Sequence, residues 1–123
     1  MTSVVIPPGW PAGVRPAHTR HWELSAEAWL LDLCPPEYRG YPVLRRHLVV
    51  LARFAVRHVE AMQEGCTKSL SAARAELRGV VASDVAERAV ETWLTEEARL
   101  RALRREVGLV ESALRGTEFR ASL

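Results

Sequence analysis

A chain of 123 residues is long enough for one domain and too short for two ordinary ones. Apolar residues at 48% with 26% charged exclude a disordered chain, and seventeen basic against fifteen acidic side chains leave it near neutral at +2. No apolar run reaches the roughly 18 residues of a membrane span, no basic leader precedes an apolar core at the N-terminus, and Cys34 and Cys66 are too few for a disulfide framework. Together these features predict a cytoplasmic globular protein without a membrane partner.

Sixteen Arg to one Lys, a single Ile and no Asn form a bias that tracks GC-rich codons. Arginine on the surface is therefore weaker evidence for phosphate binding here than in an unbiased chain.

Pro7, Pro8, Pro11 and Pro16 with Gly9 and Gly13 forbid regular helix at the start. Residues 1–18 read as an extended arm. Val4, Val5, Ile6 and Trp10 within it predict that part of the arm lies on apolar surface.

Thr19 can cap a first helix over 19–33, whose Trp22, Ala26, Trp29, Leu30 and Leu33 share one side. Pro35 and Pro36 end it, and a short connection through Tyr38 and Tyr41 leads to Pro42, suited to a first helical turn. A second helix is expected over 43–78, interrupted by nothing except Gly65. Its stripe, from Leu44 and Leu48 through Val59 and Cys66 to Leu77, repeats at close to the 3.6 period. After Gly79-Val80-Val81-Ala82, Ser83 caps a third helix over 84–115, with Gly116 as its stop.

Folding the long helices back about that turn pairs Leu70 with Trp93, Val56 with Val107 and Leu48 with Leu114. The expected fold is all-α: a long antiparallel helical hairpin, the short first helix packed at its open end, in a single domain over 19–118 with a tail at 119–123. Glu97 falls on the seam opposite Cys66, and an arginine from a second chain is its simplest partner. Val43, Val50, Phe54 and Ala61 form a second stripe that widens the apolar arc to about 200°. The first helix is the expected cover. Leu94, Leu109 and Val81 lie off the seam and would be covered in a homodimer.

No motif fixes a reaction. His18 and His21 could share a metal ion, but no third ligand stands at a zinc interval, and no Glu-x-x-His set supports a di-iron site. Neither a nucleophile elbow, a phosphate-binding glycine loop nor a Cys-x-x-Cys pair is present. No catalytic residue, metal site or cofactor is assigned. His47 and His58 lie near the second stripe, where a core-edge role outweighs a pH-sensing one. Arg39, Arg45, Arg46, Arg53 and Arg57, with Arg101, Arg104 and Arg105, could contact phosphates, but Glu106 and Glu111 lie across from Arg57 and Arg53.

The run Trp29-Leu30-Leu31-Asp32-Leu33-Cys34-Pro35-Pro36-Glu37-Tyr38-Arg39-Gly40-Tyr41-Pro42-Val43-Leu44-Arg45-Arg46-His47, with Val107 to Glu111 and the Pro-Pro-Gly-Trp-Pro arm, resembles short hypothetical proteins of actinobacteria. That group has no assigned activity, so the resemblance implies no functional residues. The turn at Gly79 lacks the Trp-x-Gly tripeptide of secreted actinobacterial helical hairpins.

The reading is a non-enzymatic interaction module, a homodimer that also binds another protein. Its surface would be Trp22, Trp29, Tyr38, Arg39, Tyr41, Arg46, Arg53 and Arg57, the aromatic and Arg types that interface hot spots favour. The alternative is a nucleic-acid- or ribosome-associated protein using the same arginines.

Overall fold

The computed structural model describes residues 6–121, with side chains described from 6 to 116. Within this span the protein is all-α: α1 is Trp22–Leu33, α2 Pro42–Arg46, α3 Leu48–Leu77 and α4 Ser83–Ala121, with a 3₁₀ helix at Pro36–Gly40 between α1 and α2. Among the described residues there is no strand, only an isolated bridge between Arg78 and Val81. No described helix is long and apolar enough to cross a membrane.

The chain divides into two compact units, Met1–His58 with Arg105–Leu123, and Val59–Arg104.

In the first unit the described part of the N-terminal segment, from Ile6 on, is folded into turns rather than extended. Pro7, Pro11 and Pro16 each open a tight turn, their carbonyls accepting from Trp10, Val14 and Thr19. Proline presets the backbone but cannot donate, so its carbonyl is what it offers to such a turn. The turns are held down by side chains. Trp10 Nε1 donates to the Val14 carbonyl at 3.0 Å, and the Arg15 amide donates to Ser25 Oγ at 2.9 Å. Pro11 and Val14 are buried, whereas Ile6 is exposed; Val4 and Val5 lie outside the described residues.

Thr19 does not cap α1. Its hydroxyl donates to the Pro16 carbonyl at 2.5 Å, closing the preceding turn instead. The N-cap is His21, in the left-handed region at φ 62° and without a side-chain cap. His18 is left-handed too, at φ 66°, a conformation that disfavours L side chains. α1 starts three residues later than the sequence pattern suggests because the polar cap is spent on a turn.

α2 and α3 are separated by His47, whose extended backbone (φ −128°, ψ 92°) interrupts the helix expected to be continuous from Val43. The hydrogen bonding nearly survives: the His47 amide donates to the Val43 carbonyl, and its own carbonyl accepts from Val50 and Leu51. With neither glycine nor proline at the joint, sequence gives no sign of it. Leu44, Leu51, Ala52, Ala55 and Val56 are fully buried in this unit, with Val107, Val110 and Leu114 of α4.

In the second unit α3 runs unbroken through Gly65. Within this unit α3 and α4 are linked by side chains: Arg104 donates to Glu60, Cys66 to the Trp93 carbonyl and Arg74 to Glu87. Gly79 at φ 75° ends α3 in the left-handed conformation, letting the Val80 and Val81 amides reach the Leu77 carbonyl. Ser83 is the first residue of α4 rather than its cap, a shift of one position. Gly116 does not stop α4, which continues to Ala121; a glycine weakens a helix by about 1 kcal/mol but does not forbid it.

Candidate functional site

Two prolines and a helix periodicity build one aromatic cluster in the first unit. Pro36 opens the 3₁₀ helix that carries Tyr38, and Tyr41, held extended before Pro42, ends it. Three residues per turn bring these two rings to the same side, 6.1 Å apart. On α3, Phe54 and His58 are four apart and share a face. Tyr38 joins the two sets, standing edge-on to Phe54 at 5.7 Å and to His58 at 6.3 Å. Edge-to-face rings at this spacing add about 0.5–1.5 kcal/mol per pair beyond buried area. Tyr38 is half-buried while Phe54 is 43% and Tyr41 49% exposed, and Val43 beside them is 50% exposed. The cluster is ordered by its own contacts yet open to solvent.

The second apolar stripe is therefore not covered by α1 as expected. Val43 and Phe54 remain exposed because the tryptophans are engaged elsewhere. Trp22 is 3% exposed, 6.3 Å from the Trp10 ring and 5.5 Å from His18. Trp29 is half-buried beneath Gly13. Trp22 thus anchors the N-terminal turns and is not an open contact residue. Phe54 and His58 join Tyr38 and Tyr41 in one cluster; the excess apolar arc was the sequence signal for Phe54, and the expected cover by α1 leaves Val43 and Phe54 exposed.

The arginines are mostly engaged with carboxylates. Arg39 holds Asp32 at 2.7 Å and Arg45 approaches Glu27 at 3.5 Å. Arg53 Nη2 donates to Glu111 Oε1 at 3.2 Å, with Nε 2.9 Å from Oε2 although its N–H is not aimed at that oxygen. Arg46 and Arg57 are exposed, the latter one turn from Phe54 on α3. In the second unit Arg104 pairs with Glu60, and Arg101 with Glu97. Glu97 thus pairs one turn on in its own helix.

The remaining candidates carry little chemistry. Arg20 Nε donates to His21 Nε2 at 3.0 Å, and among the described residues no three His, Cys, Asp or Glu are grouped to hold a metal ion. Cys34 is buried, which pushes its thiol up to about 11. Cys66 donates to the Trp93 carbonyl at 3.3 Å, and burial, then Glu97 and Glu96, raise its pKa. A raised thiol is a poor nucleophile. The shallow concavity at Ala89, Thr92, Trp93, Thr95 and Glu96 offers one carboxylate, held low by Arg99.

No protein-family model, curated protein or solved structure matches this chain.

Proposed function

We propose that the protein is a non-enzymatic helical interaction module that works in the cytoplasm through protein–protein contact. The observation that carries this reading is the Tyr38–Tyr41–Phe54–His58 cluster, ordered by ring contacts but exposed at Phe54 and Tyr41. Aromatic side chains lose little conformational freedom on binding, and these are already held in place. The antiparallel hairpin belongs to the same reading, supported by Arg53–Glu111 in one unit and by Glu60–Arg104 and Arg74–Glu87 in the other. So does homodimerisation, which would cover Leu94, 52% exposed.

Arginine engagement weighs against a nucleic-acid role, since carboxylates already occupy Arg39, Arg45, Arg53, Arg101 and Arg104. The test is affinity capture from the native cell with the full chain and its Phe54→Ser variant, alongside binding to generic RNA and duplex DNA at two salt concentrations. A protein captured by the parent and lost with Phe54→Ser supports the reading. Retained nucleic acid that falls away steeply with salt would overturn it in favour of phosphate binding. Light scattering at micromolar concentration should give the mass of two chains.

A further inference from the structure

We infer that the partner segment received by the Tyr38–Tyr41–Phe54 face is an acidic peptide carrying a large apolar side chain; this rests on the protein-contact reading above and adds the partner's chemistry. The first observation is shape and polarity. Phe54 and Tyr41, each close to half exposed, flank the half-buried Tyr38 ring, and Val43 two residues after Tyr41 is exposed as well, an apolar surface suited to an aromatic or aliphatic anchor.

The second observation is charge, and it is independent of the rings. From Tyr38 to Val59 the chain carries five arginines and two histidines and not one Asp or Glu. Arg39, Arg45 and Arg53 pair with carboxylates from outside the segment, Asp32, Glu27 and Glu111. Counting every charge in each unit, the first has ten basic and seven acidic side chains, net +3, and the second seven and eight, net −1. The excess positive charge of the protein thus resides in the unit that exposes the aromatic face. Arg57 adjoins that face on α3, and Arg46 follows Val43 in α2.

A positive field around an apolar patch selects a partner of the opposite sign and the same polarity. Rim charges chiefly set the rate of encounter and reject like-charged competitors, while the buried anchor supplies most of the affinity. A basic or uncharged apolar segment would lose the first contribution, and a purely acidic one the second.

The test uses the full chain to select from a displayed library of random peptides, followed by fluorescence anisotropy on the synthesised winners. Expected are sequences in which Asp or Glu flank a Phe, Trp or Leu. Their binding should weaken about tenfold or more with Phe54→Ser or Tyr41→Ala and severalfold on raising salt or with Arg46→Glu. Both aromatics are exposed, and circular dichroism of each variant checks that the helices persist. Winners that depend on Phe54 but carry no acidic residues would overturn the inference and leave the contact reading standing. Winners indifferent to Phe54 and Tyr41, or no winners, would overturn both.

Discussion

Gly13 lies against the indole of Trp29, so close that a Cβ built on it would stand 2.8 Å from Cδ1 and 3.5 Å from Nε1. Real Cβ atoms do not approach that far. The neighbour is the five-membered edge of a half-buried indole, which must turn or shift to make room. Gly13→Ala should therefore cost about 1–3 kcal/mol, the usual penalty for overpacking. Urea unfolding should show a lower midpoint at unchanged slope; an unchanged midpoint would mean that the indole turns away at no cost.

Glu111 lies between two guanidiniums, Arg53 of α3 and Arg115 one turn on in its own helix, and its side chain is only 13% exposed. Screening by water is weaker here than at an open surface pair. A double-mutant cycle over Arg53→Ala and Glu111→Ala should give a coupling of about 1 kcal/mol, at the upper end for partly exposed pairs. The same cycle over Arg74 and Glu87, both well exposed, should give less, even though that pair has two good hydrogen bonds. Equal couplings would remove burial as the reason.

These pairings were within reach of sequence reasoning because they follow helix periodicity. Arg53 reaches Glu111, which the sequence pattern sets across from it, and Glu111–Arg115 and Glu97–Arg101 follow the four-residue rule. What periodicity cannot reveal is a contact made by a segment without a period. The N-terminal turns draw on proline carbonyls, Ser25 and the two left-handed histidines, and they remove Trp22 from the surface. That loss relocates the candidate site. With Trp22 buried and Trp29 beneath Gly13, Phe54 is met by the Tyr38 ring and stays 43% exposed, and Tyr38 becomes the hub of a partly open face. The kink at His47 is illegible for another reason: it leaves most local hydrogen bonds intact and needs no breaker residue.

Cys34 should titrate late. Burial disfavours its thiolate and carries the pKa from 9.0 to about 11. The native state then keeps a proton that the unfolded chain releases, so stability falls as pH rises from about 9 to about 11. Below that window the contribution is fully present. Cys34→Ala should flatten the loss of stability across the window when unfolding is followed at a series of pH values. At pH 8 iodoacetamide should label Cys34 about a hundredfold more slowly in the native chain than in urea, in proportion to the thiolate present. Native labelling as fast as in urea would show the thiol to be open to water.

Two glycines that both face open space should respond in opposite directions to the same substitution. Gly65 sits inside α3 with nothing within 4 Å of an added Cβ, and its backbone is helical. Gly65→Ala should stabilise by about 1 kcal/mol, through helix propensity and a less flexible unfolded chain. The melting temperature should rise by roughly 3–6 °C for a domain of this size. Gly79 also has nothing within 4 Å, but its φ is 75° and it terminates α3. An alanine there must hold the left-handed conformation, which costs roughly 1–2 kcal/mol, or release the Val80 and Val81 amides from the Leu77 carbonyl. Gly79→Ala should therefore lower the melting temperature. Opposite signs at two equally uncrowded positions would isolate backbone conformation as the cause, since neither change alters side-chain packing.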